Sequence, residues 1–302
     1  MSDPPAPEEI LAGFVGLLTV LAEDDGGFAG PPQSGGMGRV FGGQIVAQAL
    51  QSAQATVPEG MSAHSLHAYF LRGGTEGIDT RYEVARDLDG RSFANRRVVA
   101  RQDREAILTL TASFQRAEPG LSHQEAIMPD VPAPEELVPD ADQRRALVER
   151  AGDRMSEAQR ALILRPRPLE MRTVGTLHWM NSEPSPPFAQ SWFRTVAPLP
   201  DDAALHRAVI AYASDYTLLG TAALPHGLSW MRGELTGASL DHAIWFHRPA
   251  RADEWLLYTT DSPWTGSGRG FNRGQIFDRS GNLVASVAQE GMMRKRVPKA
   301  GP

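Results

Sequence analysis

The order of one helix followed by several antiparallel strands occurs twice in this chain, and any fold has to accommodate both copies. In the first copy, residues 42–56 are Ala-rich and carry small side chains round most of the helix circumference, which predicts a helix closely wrapped by other structure. Pro58 and Gly60 end it. Residues 64–71 then read as a strand, 82–86 as another, and 93–100 with 106–114 as a hairpin turning near 102–104. The second copy has a helix at 205–215, an aromatic strand at 239–247, a strand at 255–260, and a hairpin of 274–277 with 283–288 closed by Ser280-Gly-Asn282. An ungapped shift of 178 residues sets Gly90, Arg91, Phe93, Arg101 and Arg116 on Gly268, Arg269, Phe271, Arg279 and Arg294. A shift of 176 sets Tyr69, Phe70 and Arg72 on Trp245, Phe246 and Arg248. These matches and the shared order of elements favour a duplicated unit.

With 302 residues, the chain can bury a core in each copy. Hydrophobic residues at 41% and charged residues at 22% are ordinary globular values, which fit neither a disordered chain nor a membrane protein. Residues 117–139 are rich in Pro and acids and read as a linker, followed by a helix in 142–164 that Arg165-Pro-Arg-Pro168 ends. The expected division is an N-terminal unit at 8–117, a linker at 118–168 and a C-terminal unit at 169–297. Ahead of the first copy, the apolar patch 10–21 is too short to span a bilayer and reads as an amphipathic helix packed on that unit, with a Gly/Asp/Pro-rich loop at 23–38. No basic leader pattern precedes it, and Lys299-Ala-Gly-Pro302 is not a peroxisomal address. A formal charge of −6 without any Lys/Arg run gives no nucleic-acid footprint. The chain contains no Cys, which rules out disulfides, thiolate metal sites and a cysteine nucleophile, and fits a reducing cytoplasm.

The densest polar chemistry lies at 238–249, where Leu240, Ala243, Trp245 and Phe246 are interleaved with Ser239, Asp241, His242 and His247. Unpaired polar groups in an apolar setting cost ~1–3 kcal/mol each, so this segment predicts a hydrogen-bonded constellation. Tyr212-Ala-Ser-Asp215 upstream and Ala288-Gln-Glu-Gly291 downstream are expected to meet it. In the approximate register of the repeat, which allows for gaps at the helix, Asp215 falls near Ala49 or Leu50, Ser239 on Ala63 and Gln289 on Thr111, so a carboxylate, a hydroxyl and an amide are found in one copy and diluted in the other. Singly, each also has a structural reading: an ion-paired helix carboxylate, an ordinary strand serine, a glutamine bonded to backbone. Other chemistries lack their residues. There is no Gly-x-Ser-x-Gly elbow and no Walker loop, and Gly266-Ser-Gly-Arg-Gly270 precedes a strand without dinucleotide spacing, so it reads as an inter-strand loop, with phosphate contact as the alternative. His64 and His67 have no companion ligands and read as strand histidines rather than a metal site.

Several runs resemble one family. They are Val40-Phe-Gly-Gly-Gln44, His64-Ser-Leu-His-Ala-Tyr-Phe-Leu-Arg-Gly73, Thr111-Ala-Ser-Phe-Gln115, Arg167-Pro-Leu-Glu170, Tyr212-Ala-Ser-Asp215, Asp241-His242 with Trp245-Phe-His-Arg-Pro249, Glu254-Trp-Leu-Leu-Tyr258, Arg269-Gly-Phe271 and Gln289-Glu-Gly291. Spread over nearly the whole chain, they resemble the acyl-CoA thioesterase II (TesB-like) family. The resemblance implies an α+β double hotdog, in which two antiparallel sheets, each wrapped round a long central helix, join side by side. It also implies hydrolysis of acyl-CoA to fatty acid and CoA without a cofactor or metal, by a water that Asp215, Ser239 and Gln289 activate and orient. Ser239 stands where many members have Thr, and Gly73-Gly74 departs from the usual loop after the Arg.

Such hydrolysis needs a base, a held water and donors where the carbonyl oxygen gains charge. The chain leaves the oxyanion donor to an unidentified backbone N–H and offers Asp241, two residues after Ser239 and so expected on the same strand face, as a rival base. Arg248, Arg269 and Arg273 are candidates for the CoA phosphates, or else a solvated arginine face. Trp230, Ile244, Trp245, Phe246 and Phe271 are candidates for the acyl tunnel, or else plain core. Expected partners are acyl-CoA and further copies of the chain as a dimer or tetramer, without nucleic acid or membrane. The alternatives are a non-catalytic acyl-CoA-binding protein and a hydratase, the latter without its Asp and His hydration loop.

Overall fold

The computed structural model describes residues 5–33, 35–36, 38–177, 183–228 and 232–296. In the N-terminal half the strands are β1 (Leu21–Ala22), β2 (Phe28–Gly30), β3 (Met61–Phe70), β4 (Thr80–Asp89), β5 (Phe93–Gln102) and β6 (Glu105–Arg116). In the C-terminal half they are β7 (Leu169–Thr173), β8 (Phe188–Thr195), β9 (Leu235–Ser239), β10 (Asp241–Phe246), β11 (Leu256–Gly266), β12 (Arg269–Asp278) and β13 (Leu283–Lys295). Among the described residues they form one sheet in the order β1-β2-β4-β5-β6-β3-β10-β13-β12-β11-β8-β7, with β9 paired to β13. The run β2-β4-β5-β6-β3 is repeated in reverse as β10-β13-β12-β11-β8, and the halves join where β3 pairs antiparallel with β10. Along β5, exposed or half-buried residues alternate with buried ones, the period-2 pattern of a sheet with one covered face.

The covering elements are helices α1 (Pro7–Leu18), α2 (Gly42–Gln54) and α5 (Ala203–Ser214). The small side chains of α2 do what their composition predicts: Gly43 to Leu50, with Ser52 and Ala53, are all buried. One apolar core runs from Leu11 and Phe14 of α1 through Val46 and Leu50 of α2 and Val209 and Ile210 of α5 to Val284 and Val287 of β13. The start of α2 abuts the end of α5: a Cβ on Gly43 would lie 2.6 Å from the Tyr212 carbonyl oxygen. Only glycine permits that approach, because the atom in the way is backbone.

The segment expected as one helix at 142–164 is two, α3 (Asp140–Ala151) and α4 (Glu157–Leu164). Gly152 at φ 51° stops the first, and Ser156 with Gln159 forms a capping box that starts the second. The loop expected at 23–38 includes β2, whose three residues pair with β4. Gly266-Ser-Gly-Arg-Gly270 is a tight hairpin, with Ser267 and Gly268 at φ 49° and 73° joining β11 to β12.

The two halves close the C-terminal ends of their central helices differently. In the first, the fully buried Arg96 donates to Thr56 Oγ1 (2.8 Å) and Thr56 O (3.0 Å), to Leu88 O (2.9 Å) and Asn95 O (2.8 Å), and to Asp89. In the second, Gly274 takes the repeat position of Arg96, and the Tyr258 ring fills the space a side chain there would need. The Tyr258 hydroxyl donates to Ser214 O at 2.8 Å. A cation therefore sits under one helix end and a neutral hydroxyl under the other. Arg96→Met leaves the carbonyls of Thr56, Leu88 and Asn95 without their donor, so urea unfolding should show a loss of about 1–3 kcal/mol, the scale of leaving such groups unmatched.

Candidate active site

Asp215 is the C-cap of α5, continuing its backbone at φ −86° and ψ −8°. A carboxylate is disfavoured there by the negative end of the helix dipole. The start of α2 faces it: the nearby Gly43 N–H helps to hold the carboxyl down, and a Cβ on Gly42 would lie 2.7 Å from Asp215 Oδ2. Gln289 Nε2 donates to Asp215 Oδ1 at 2.6 Å and Ser239 Oγ donates to the same oxygen at 3.3 Å. Burial pushes the carboxyl up to about 6 against the lowering effect of these three donors. The expected meeting of Asp215, Ser239 and Gln289 is thus present, with Asp215 still partly open to solvent.

Beneath them lies a relay that the sequence reading did not assign. His242 is fully buried, and its Nδ1 lies 2.9 Å from Gln289 Nε2 while its Nε2 lies 2.9 Å from Ser214 Oγ. Ser214 Oγ in turn donates to Ala211 O at 2.9 Å. These contacts assign the Nε2–H tautomer, in which Nδ1 accepts from Gln289 and Nε2 donates to Ser214. Desolvation pushes the imidazole down to about 3, so it is neutral in this role. Both N–H groups of Gln289 are then committed, to Asp215 and His242, and its Oε1 is buried without a partner. The Oδ1 of Asn272, which stands opposite Gln289 in the ladder, is unpartnered too. His242 was visible as a polar residue in an aromatic strand and Ser214 as the neighbour of Asp215. Gly43 was visible only as part of a glycine pair opening a helix.

The strand expected at 239–247 is broken at Leu240, and the break settles the place of Asp241. Ser239 pairs with Gly291 and Ala243 with Ala288, so β9 and β10 span four steps against three on β13. That extra residue is a β-bulge, which shifts the alternation by one. Ser239 and His242 therefore both face the helices, and Asp241 does not share the face of Ser239 as expected. Its Oδ1 instead accepts the Glu290 N–H at 2.6 Å, filling the ladder where the bulge leaves a gap.

The expected substrate-binding residues do not gather at Asp215. Trp245 lies on the outward face of β10, 37% exposed and edge-on to His67 at 5.0 Å. On β12, Gly270 and Asn272 are buried, and Arg269, Phe271 and Arg273 alternate with them on the outward face. Arg269 pairs with Glu290 at 3.0 Å, and Arg273 pairs with Asp261 through two contacts of 2.9 and 2.7 Å. Arg248 lines a cavity of about 380 Å³ at the other end of α5, with His206 and Arg207. Ile244 and Phe246 are core, and Trp230 lies outside the described residues. His64 donates to or accepts from Ser113 Oγ at 2.8 Å, as a strand histidine would.

Known proteins resemble this chain along most of their length. A family model described as acyl-CoA thioesterase matches residues 144–292, and one described as acyl-CoA thioesterase N-terminal domain matches residues 31–115. The chain is 36% identical over 286 residues to acyl-CoA thioesterase 2 of Haemophilus influenzae, covering 95% of this chain and 98% of the relative. It is 38% identical over 262 residues to human acyl-coenzyme A thioesterase 8, covering 85% and 81%. Among solved structures, acyl-CoA thioesterase II TesB2 of Mycobacterium marinum superposes with a TM-score of 0.74 at 38% identity, over 93% of this chain and 98% of that one. A tesB protein of Mycobacterium avium subs paratuberculosis gives 0.76 at 30% identity over 94% and 99%. With its helix-wrapped halves joined in one sheet, the chain belongs to the acyl-CoA thioesterase II (TesB-like) family and is a double hotdog acyl-CoA hydrolase.

Proposed function

We propose that Asp215 is the general base of this hydrolase and that Ser239 and Gln289 hold the attacking water. The observation that supports this reading best is the carboxyl raised to about 6 in a site where every nearby donor is aimed at it. At neutral pH such a group is mostly ionised, yet basic enough to take a proton. Water attacks the thioester carbon as Asp215 accepts its proton. The C–S bond then breaks, and the proton can pass from Asp215 to the departing CoA sulfur. With both its N–H groups committed, Gln289 offers the water its free Oε1 as acceptor. Substrate would take the Gly43 N–H from Asp215 and use it, at the start of α2, as the oxyanion donor.

The division at 8–117, 118–168 and 169–297 is our proposed reading of the duplicated units. We also propose self-association, supported by the outward sheet face on which Tyr69 is 62% and Trp245 37% exposed. The proposed setting is the cytoplasm, on the cysteine-free composition. Among the described residues, no helix is long and apolar enough to cross a membrane.

Release of CoA thiol from a panel of acyl-CoAs tests the base. Asp215→Asn should fall at least ~100-fold while remaining folded, whereas turnover equal to wild type removes Asp215 from the chemistry. The wild-type kcat/KM should rise with pH through a limb near the raised carboxyl value of about 6. A raised carboxyl stabilises the fold only while protonated, and that stability is lost as pH rises through about 6. Asp215→Asn should therefore melt higher than wild type at pH 8 and equal to it near pH 3.

Gly43→Ala tests the donor. Its Cβ meets a backbone carbonyl, so the start of α2 must shift, and kcat should drop by roughly 10²–10³-fold, the scale of losing one oxyanion donor. A kcat within twofold of wild type would place the donor elsewhere.

A further inference from the structure

The described residues hold one buried cation without a hydrogen-bond or ion-pair partner among them. Arg144, on α3, is only 8% exposed, makes no hydrogen bond or ion pair with any described residue, and has its Nε sealed from solvent. Burial, and next the like charge of Arg167, bring its guanidinium down to about 10. The nearest acid offers little, because Asp140 spends Oδ1 on the Thr173 N–H (2.8 Å) and Oδ2 on the Thr173 hydroxyl (2.9 Å). Arg145 adds a further positive charge and is itself tied to Asp142.

Arg167 lies over the Tyr216 ring at 5.3 Å. Tyr216 follows Asp215 in the chain and packs edge-on at 5.7 Å against Phe41, the N-cap of α2. Arg167 is thus held against the residue that follows Asp215, and Arg144 lies near enough to interact electrostatically with both Arg167 and Tyr216. A guanidinium as buried as that of Arg144, with a second beside it, is costly unless an anion completes them, and their planar forks match the oxygens of a phosphate or carboxylate.

We propose that Arg144 and Arg167 form the subsite for an oxyanion of the substrate, either a phosphate of CoA or a carboxylate at the far end of the acyl chain. The inference rests on the acyl-CoA hydrolase reading and adds to it the group that anchors the ester. It also relocates anion recognition from Arg269 and Arg273, whose charges are met by Glu290 and Asp261.

The test compares wild type with Arg144→Met and Arg167→Met, each keeping an unbranched apolar stem, on three esters of one chain length: a fatty acyl-CoA, the same acyl group on pantetheine, and its ω-carboxylated form on pantetheine. If a phosphate docks, KM for the CoA ester should rise at least ~10-fold in both variants, with kcat within twofold and both pantetheine esters unaffected. If a carboxylate docks, the same rise should follow the ω-carboxylated ester alone. In either case Arg144→Met should melt at or above the wild-type temperature, since it removes an unpaired buried charge. Unchanged KM on all three esters would overturn the proposal. So would an equal loss on all three, or a lower melting temperature with no preference among the esters, because those mark a structural arginine. Loss of turnover in Asp215→Asn is a separate measurement, so a failed base assignment and a failed subsite give different results.

Discussion

The site depends on bringing a carboxylate to the C-terminal end of one helix and covering it with the N-terminal end of another. Asp215 at the end of α5 has both burial and the helix dipole against its charge. The start of α2 supplies the compensating amide, and it can come close only because positions 42 and 43 carry no side chain. If either glycine were larger, the helices would separate and the carboxylate would face water at an ordinary acidity. The packing of two helices therefore sets the chemistry of one side chain.

A second layer keeps the polar groups oriented. Gln289 could turn its amide either way, but His242, fixed in one tautomer by Ser214, accepts only from its nitrogen. The amide nitrogen is thereby fixed toward Asp215 and the oxygen left free. The bulge at Leu240 contributes by geometry alone: one extra residue turns both Ser239 and His242 toward α5, and the ladder gap it opens is closed by the Asp241 carboxylate. Asp241 and Asp215 thus have separate duties, one completing a sheet and the other accepting from Gln289 and Ser239.

Much of this was legible in the sequence. The small residues of 42–56, the alternating strands and the recurrence of their order pointed to paired helix-wrapped sheets, and residue types diluted in one copy picked out Asp215, Ser239 and Gln289. What escaped depends on register. A period-2 reading places Ser239 and Asp241 on one face, and no local composition announces the bulge that separates them. The arginines at 248, 269 and 273 were chosen by charge and proximity in sequence, but strand alternation turns Arg269 and Arg273 outward, where acids meet them. Arg144 lay in a segment read only as linker and helix, and its isolation is a property of packing that no motif carries.

The unequal closure of the two helix ends has a consequence for how many sites a molecule can hold. Two identical single-unit chains would bear two equivalent clefts, and every residue would have to serve both. In the fused chain, Arg96 brings a guanidinium under α2, while in the second half Gly274 takes the place of Arg96 and the Tyr258 hydroxyl donates to Ser214 O. The guanidinium at the first helix end is spent on holding carbonyls, and the second end carries Asp215, whose surroundings come from both halves. Separating the halves would divide the Asp215 carboxylate from the start of α2 that covers it.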